Sequence, residues 1–362
     1  MDEFYMNIAI ECAENGVGHV QPNPLVGIVI VKDNNIIGKD FYENTDKINI
    51  IEKVILNNNI TDSQLNKSDI YITYPNFTDK TIKYIRDKKF SRMVFGTLMP
   101  QAVLRSSQVA KICGLGFQVK VGVLEEECNK LNEIYNNPFI NIRPFVHIKW
   151  SMTLDGKAAT YIGNNEGITT DKCYSYAHEL RNKYTAAMVG INTILKNNPS
   201  LISNYPGGNN PYRIIVDSTL RIEMDCKVLD DAYNIPTFIA ITRNFDKVKA
   251  KMLQTKGIKL IICETLNDKV DLLDLMFKLS ELKIDSVLIE GGGNLIFSAL
   301  ESGIVDKVSV FIGSKIIGGQ NSLTPVTGSG FDFIQNGLEL KEISIKQFET
   351  NILIEGYIKK ES

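Results

Sequence analysis

The sequence predicts an α/β protein made of two domains. Its 362 residues are long for a single core, since a domain typically has about 150 residues. Short apolar strand patterns alternate with helical patterns along the chain, which is typical of largely parallel sheets covered by helices. A segment rich in proline and asparagine, EIYNNPFINIRPF at 133–145, indicates a linker or crossover. We therefore predict one domain over residues 1–140 and a second over 145–362.

The composition excludes several classes of protein. With 44% hydrophobic residues, 23% charged residues and a net charge of −2, the chain lacks the positive charge that attracts nucleic acid or anionic membranes. The first residues, MDEFYMNIAIECAENG, do not resemble a signal peptide, and no apolar run reaches the length of about 18 residues that a membrane span needs. Six scattered cysteines favour buried free thiols in a reducing cytosol. We expect a cytoplasmic protein that binds a small molecule, with no nucleic-acid or membrane partner.

In the first half, helices and strands alternate after an opening helix. Apolar residues at helical spacing predict this helix over 2–15, and Gly16 and Gly18 end it. Further helices are predicted over 47–58, 78–88 and 101–114. Strands are predicted at LVGIVIV (25–31), IIGKDFY (36–42), DIYITY (69–74), RMVFGTL (92–98) and FQVKVGV (117–123).

The second half predicts another α/β unit, which opens with the strand VHIKWSM at 146–152. The segment SNYPGGNNPYR at 203–213 is typical of a flexible surface loop. Further strands are predicted at AAMVGI (186–191), YRIIVDS (212–218), PTFIAIT (236–242), KLIIC (259–263), SVLIEGG (286–292), KVSVFIG (307–313) and NILIEGYI (351–358).

The first half has the strand and helix pattern of a zinc deaminase but lacks the zinc ligands. Such a site needs an H-x-E pair on one helix and a P-C-x-x-C or longer cysteine loop at the start of the next. Asn49 and Ile51 stand about where the histidine and glutamate would lie, and Glu52 is one residue late. Asn76 follows the expected proline, and no cysteine occurs between there and Cys113. We predict that this half binds no zinc.

The second half contains a candidate phosphate-binding turn. In DSVLIEGGGNLIFSAL, an apolar strand leads into three glycines and then a helical pattern. Glycine lets backbone N–H groups approach a phosphate closely, and a helix start favours an anion. The spacing is not that of the G-x-G-x-x-G fingerprint, and a tight strand-to-helix turn without a ligand explains the glycines equally well.

Five motifs occur in the order of a known family: PNPLVGIVIV, SMTLDGKAA, VGINTILKNNPSL, VDSTLR and LIEGGGNLI. Through them the chain resembles the bifunctional deaminase–reductase family of riboflavin biosynthesis over roughly residues 4–320. The resemblance implies a cytidine-deaminase-like α/β/α domain followed by a dihydrofolate-reductase-like α/β domain. It implies NADPH as cofactor, and a homodimer or homotetramer. The missing ligands imply that the deaminase half is an inactive shell.

The resemblance also implies roles for individual residues of the second half. It implies catalytic roles for Glu290 and Arg181, with Arg181 on the substrate phosphate. It implies cofactor contacts from Ser151, Gly190, Thr193, Asn197, Ser218, Gly292, Gly293, Asn294 and Leu295, and substrate contacts from Asn165, Thr169, Arg181, Leu201, Asn204 and Glu290. Ser218 and Arg221 could also hold the 2′-phosphate of NADPH, although Arg221 could equally form a surface ion pair.

Four positions of the second half depart from the family pattern. Asn165 replaces a serine, Gly167 a tryptophan, Asn197 an aspartate and Asn204 a second arginine. Because a charged hydrogen bond to phosphate contributes about 1.5–3 kcal/mol, the loss of an arginine weakens the substrate side. Lys196 or Arg213 could compensate. His178 could act as an acid or base, but a lone histidine on a helix is more often structural.

Three readings of the function follow. The leading hypothesis is NADPH-dependent reduction of 5-amino-6-(5-phosphoribosylamino)uracil with an inactive deaminase half. The second keeps the cofactor and changes the substrate to a pterin such as dihydrofolate. The third is a non-catalytic binding or assembly protein, against which the intact EGGGNL segment argues.

Overall fold

The computed structural model describes residues 1–44, 48–75, 79–100, 110, 112–114 and 116–360. The chain forms two compact units, Met1–Asn141 and Ile142–Ser362. The predicted helix over 101–114 falls mostly outside the described residues, as does Asn76.

The first unit is built on a five-stranded mixed sheet in the order β2-β1-β3-β4-β5. β1 pairs antiparallel with β2 and with β3, whereas β3, β4 and β5 run parallel. The strands are β1 (Gly27–Lys32), β2 (Asn35–Phe41), β3 (Asp69–Ile72), β4 (Arg92–Phe95) and β5 (Gln118–Val121). The prediction of a largely parallel sheet is therefore wrong for this unit.

The helices of the first unit cover this sheet, and local sequence sets their starts. Asn49 caps the second helix, while Thr61 and Gln64 form a capping box on the third. Residues 133–139 are helical rather than a linker, because this short segment buries Ile134 and Asn136. The described helices are α1 (Asp2–Glu14), α2 (Ile50–Asn57), α3 (Asp62–Leu65), α4 (Asp79–Arg86), α5 (Glu125–Leu131) and α6 (Glu133–Asn136), with a 3₁₀ turn at Asn137–Phe139.

The second unit is built on a nine-stranded sheet in the order β10-β9-β8-β7-β13-β6-β14-β16-β15. The run from β10 to β14 is parallel, and β16 and β15 add antiparallel strands at one edge. The strands are β6 (Phe145–Thr153), β7 (Ala186–Gly190), β8 (Tyr212–Val216), β9 (Thr237–Ile241), β10 (Lys259–Ile262), β13 (Ser286–Gly291), β14 (Lys307–Gly313), β15 (Leu340–Phe348) and β16 (Asn351–Ile358).

Five helices and a small hairpin complete the second unit. The hairpin pairs β11 (Thr265–Leu266) with β12 (Lys269–Val270), and its turn residues Asn267 and Asp268 both have positive φ. Helices α10 and α11 pack on the largest apolar cluster, which alternate residues of β6 and β13 share. The helices are α7 (Asp171–Lys183), α8 (Ile191–Asn197), α9 (Lys247–Thr255), α10 (Leu272–Glu281) and α11 (Gly293–Glu301).

Two features were expected from the sequence: free, buried cysteines and helices that do not span a membrane. All six cysteines are free, and five are buried as expected, whereas Cys113 is exposed. In the part of the chain that the structure describes, every helix is too short or too polar to cross a membrane.

Gly313, at the end of β14, fixes how closely the segment before α7 approaches the sheet. A Cβ atom at Gly313 would lie 1.9 Å from the carbonyl oxygen of Ile168, whereas a Cβ at Gly190 would meet nothing closer than 3.6 Å. We expect Gly313→Ala to destabilise the protein by about 1–3 kcal/mol or more and to lower its melting temperature by several degrees. The matched control Gly190→Ala should change it little. Equal melting temperatures for the two variants would contradict the close approach.

Candidate active site

A cleft of 820 Å³ opens in the second unit where its parallel strands end. It is lined by residues at the carboxyl ends of β6, β7, β8 and β13, by the start of α11 and by the hairpin β11–β12. Ligand sites in parallel α/β sheets form at this edge, because the carboxyl ends of the strands and the starts of the following helices meet there.

Most of the residues that the sequence singled out lie together in this cleft. The residues that line it are Ser151, Asn165, Thr169, Gly190, Thr193, Asn197, Ser218, Glu290, Gly292, Gly293, Asn294 and Leu295. Three others do not line it, namely Arg181, Leu201 and Asn204.

The glycine turn before α11 leaves the helix start open toward the cleft. Gly292 is the N-cap residue with a φ of +88°, which favours glycine, and no side chain of the described residues caps the helix. A Cβ atom at Gly293 would lie 2.9 Å from Thr327. The side chain of Asn294 accepts a hydrogen bond from Thr327 Oγ1 at 2.7 Å instead of capping the helix. Uncapped backbone N–H groups at a helix start form an anion-binding site.

Glu290, at the end of β13, pairs with Arg181 of α7. Arg181 Nε donates to Glu290 Oε1 at 2.5 Å and its Nη2 to Oε2 at 2.8 Å, while Nη1 donates to the carbonyl of Ile202 at 2.8 Å. The side chains are only 17% and 7% exposed. Burial opposes the charge of Arg181, but the Glu290 carboxylate outweighs it and raises the pKa of Arg181 above its usual value. The contact of Arg181 with substrate phosphate stays a prediction; in the structure its side chain contacts Glu290 and the carbonyl of Ile202.

Lys149 lines the cleft from the same face of β6 as Ser151, in the neighbourhood of this ion pair. Its Nζ lies 5.5 Å from the ring centroid of Phe311. Burial lowers the pKa of the Lys149 ammonium; the charge of Glu290 opposes this shift, and the charge of Arg181 adds to it. A lysine with a lowered pKa beside a carboxylate in a cleft is a candidate acid–base group.

Leu201 and Asn204 belong to a loop that α7 holds in place. Leu201 is buried in an apolar cluster and has a φ of +56°. The backbone N–H of Asn204 donates to His178 Nδ1 at 3.1 Å, and Ser203 Oγ donates to the carbonyl of His178 at 2.9 Å. Burial, then the charge of Arg181, lower the pKa of His178. His178 therefore anchors the start of the segment that was predicted as a flexible loop.

Three cationic side chains belong to the wall of the cleft. Lys196, Arg221 and Lys269 all line it, and Arg221 Nη2 donates to Asn192 Oδ1 at 3.0 Å. Ser218 Oγ accepts from the backbone N–H of Val270 at 3.1 Å and so ties the hairpin to this wall. Such a group of cations suits a phosphate.

The expectation that Arg213 compensates for a lost arginine needs correction, and the cleft includes residues that were not singled out from the sequence. Arg213 is fully buried and bonds Asp231 and Thr237, so it is unable to replace a lost phosphate ligand. Trp150 packs on the core and also lines the cleft, where its buried Nε1 has no hydrogen-bond partner among the described residues. Sequence reasoning also missed Lys269 and the hairpin, although the Asn267-Asp268 pair is a turn signal.

The positions of the expected zinc ligands in the first unit have other roles. Asn49 Oδ1 accepts the backbone N–H of Glu52 at 2.9 Å, and its Nδ2 donates to Glu52 Oε2 at 3.0 Å. Ile51 is fully buried in the apolar core. In the described ranges, no three His, Cys, Asp or Glu side chains lie close enough to hold a metal ion. Among the described residues, the side chains at these positions supply no set of donors that fits zinc.

Comparison with known proteins assigns the chain to a family. The model of the RibD C-terminal domain matches residues 144–354, more than half of the chain. The chain belongs to the RibD family. The riboflavin biosynthesis protein RibD of Actinobacillus pleuropneumoniae is 34% identical, over 98% of this chain and 94% of that protein. The 2,5-diamino-6-ribosylamino-4(3H)-pyrimidinone 5′-phosphate reductase of Methanothermobacter thermautotrophicus is 36% identical, over 55% of this chain and 91% of that protein.

Solved structures of RibD proteins have the same fold. The diaminohydroxyphosphoribosylaminopyrimidine deaminase/5-amino-6-(5-phosphoribosylamino)uracil reductase of Thermotoga maritima superposes with a TM-score of 0.84, at 28% identity and 99% coverage of both chains. Acinetobacter baumannii RibD gives 0.83 at 22% identity. The predicted fold class, a deaminase-like domain followed by a dihydrofolate-reductase-like domain, is confirmed. Membership of the RibD family supports a pyrimidine reductase of the riboflavin pathway.

Proposed function

We propose that the second unit reduces 5-amino-6-(5-phosphoribosylamino)uracil with NADPH and that the first unit has no deaminase activity. The observation that carries the proposal is the open, glycine-framed start of α11 in a cleft that also holds Lys149 and Glu290. The reductase names of the Methanothermobacter and Thermotoga relatives point to the same substrate class.

The residues present fit NADPH. The N–H groups at the start of α11 suit its diphosphate, with Gly190 and Gly292 leaving room for close approach. The cations Lys196, Arg221 and Lys269, together with Ser218, suit a 2′-phosphate. When bound, NADPH supplies the hydride that reduces C1′ of the ribose.

The substrate side then has a proton to supply. As C1′ gains hydrogen, the bond between C1′ and the ring oxygen breaks, and that oxygen becomes a hydroxyl that needs one proton. Lys149 is the candidate donor, because its lowered pKa makes it a stronger acid than an exposed lysine. Glu290 carries a negative charge in the cleft that suits hydrogen-bond donors of the substrate, and this charge opposes the lowering of the Lys149 pKa.

Turnover tests this function. With purified protein, NADPH oxidation should proceed with the phosphoribosylaminouracil and not with dihydrofolate, and Glu290→Gln should reduce it strongly. Turnover of dihydrofolate alone would show that the cleft binds and reduces a pterin. NADPH binding without turnover of either compound would refute the proposed substrate, and no NADPH binding would favour a non-catalytic protein.

The role of Lys149 predicts a pH dependence. An acid must be protonated to act, so kcat should be full at low pH and fall as pH rises through the lowered pKa of Lys149. Lys149→Met should reduce kcat by about 10²–10⁴-fold. Lys149→Arg keeps the charge but does not titrate in this range, so its activity should be low and should not fall at high pH. An unchanged alkaline fall in Lys149→Arg would assign that titration to another group.

The first unit is proposed to be inactive because its helix start uses Asn49 and Glu52 for capping instead of metal binding and proton transfer. A zinc deaminase needs a metal-activated water and a free glutamate. A separate deaminase must then supply the substrate of the reductase.

Metal analysis checks this proposal. Protein purified with zinc in the medium should contain far less than one zinc per chain, and the diaminopyrimidine substrate of RibD-type deaminases should not release ammonia. Stoichiometric zinc together with ammonia release would contradict it. Addition of a chelator should leave NADPH oxidation unchanged.

The cytoplasmic location and the homodimer or homotetramer remain proposals. The six free cysteines support a reducing compartment. The outer strand β15 is exposed along most of its length, with Ile345 at 69% exposure, and an exposed edge strand favours pairing with another chain.

A further inference from the structure

We propose that Asp155 is a positioning residue that holds two cleft-lining segments together and so sets the affinity for NADPH. We call residues 154–169 the facing loop and residues 314–327 the strap. The proposal rests on the proposed function for the identity of the ligand. It goes beyond that function because it assigns a role to a residue that does not itself line the cleft.

The two segments form part of the cleft wall without support from regular secondary structure. The facing loop follows β6 and the strap follows β14, and although every residue of both is described, neither contains a helix or a strand. The facing loop lines the cleft with residues that include Ala158, Ala159 and Asn165, and the strap with Leu323, Thr324 and Pro325. The position of this wall therefore depends on a few specific contacts.

The carboxylate of Asp155 makes the first of these contacts. Its Oδ2 accepts the backbone N–H of Gly318 at 2.8 Å, and its Oδ1 accepts the backbone N–H of Ile317 at 3.3 Å and Thr153 Oγ1 at 2.6 Å. These hydrogen bonds, that of Thr153 first and that of Gly318 next, lower the pKa of Asp155 and so favour its charged form. A charged acceptor thus joins the facing loop to two successive N–H groups of the strap, and bonds to a charged group are the stronger ones.

Backbone hydrogen bonds continue the contact from Asp155 to the cleft. The N–H of Leu154 donates to the carbonyl of Lys315 at 2.8 Å. Nearer the cleft, the N–H of Ala158 donates to the carbonyl of Leu323 at 2.7 Å, and the N–H of Leu323 donates to the carbonyl of Ala159 at 3.1 Å. Loop and strap are therefore joined at both ends of a short two-stranded wall, with Asp155 at the end away from the cleft.

The far end of the strap meets the start of α11. The N–H of Thr327 donates to the carbonyl of Gly293 at 3.3 Å, and its Oγ1 donates to Asn294 Oδ1 at 2.7 Å. This helix start is the part of the cleft proposed for the NADPH diphosphate. A strap released by the loss of Asp155 must be ordered again when NADPH binds, so the apparent Kd rises as the fraction of protein with the strap in place falls.

The test is the effect of Asp155→Ala on NADPH. The Kd and KM for NADPH should rise by about tenfold or more, whereas kcat should stay within about threefold, because the occupied cleft has the same wall. General damage to the fold would instead lower kcat at an unchanged KM. Glu166→Ala, which removes an exposed acid from the facing loop, is the matched control and should leave the Kd unchanged. An unchanged Kd in Asp155→Ala, or a lower kcat at an unchanged KM, would overturn the proposal.

A conservative variant tests the hydrogen bonds themselves. Asp155→Asn keeps one acceptor oxygen and the shape of the side chain but loses the charge, so its Kd for NADPH should lie between those of the wild type and Asp155→Ala. If Asp155→Ala does not fold, Asp155→Asn replaces it, with a raised Kd as the expected result. A Kd equal to that of the wild type would overturn the role of the charged acceptor.

Hydrogen exchange of the protein without ligand tests the contact independently of turnover. The amides of Ala158 and Leu323 bond across the wall and do not bond Asp155. In Asp155→Ala they should exchange about tenfold faster or more than in the wild type, whereas the amide of Ile289 in the parallel sheet should keep its rate. Unchanged exchange at Ala158 and Leu323 would overturn the proposal. Faster exchange, with no NADPH binding by the wild type, would refute the proposed cofactor and its link to Asp155 but retain Asp155 as the residue that holds the wall.

Discussion

The parallel run from β10 to β14 is the constraint on which the site depends. Because these strands point the same way, their carboxyl ends deliver Ser151, Gly190, Ser218 and Glu290 to one edge of the sheet. The turn after β13 then adds a helix start that no described side chain caps. A strand of opposite direction within this run would carry its residues to the far edge.

At that edge, charge separates the cleft into two parts. Lys196, Arg221 and Lys269 line the cleft and suit a phosphate, whereas Glu290 is paired with Arg181 and shares the cleft with Lys149. Removal of one partner from such a buried pair typically costs about 3–5 kcal/mol. In the first unit, the corresponding polar and apolar side chains have structural roles. Asn49 and Glu52 form a helix cap, and Ile51 belongs to the apolar core.

Local sequence predicts much of this arrangement. Gly292, Thr193 and Ser218 each follow an apolar strand closely, so parallel pairing alone brings them together. The contact of Arg181 with Glu290 was not predictable in this way, because 109 positions separate the two residues and only the packing of α7 joins them. The hairpin strands of two residues each are too short to show a period, and the short helix at Glu133–Asn136 lies in a composition typical of loops.

The most direct test of the account is the fluorescence of Trp150, the single tryptophan of the chain, during titration with NADPH. Trp150 lines the cleft, so bound cofactor should quench its emission in a saturable way. Gly292→Asp puts a negative charge at the start of α11 and should abolish the quenching, whereas Gly303→Asp, just beyond the other end of this helix, should preserve it. An unquenched wild type, or equal quenching in Gly292→Asp, would contradict NADPH binding at this helix.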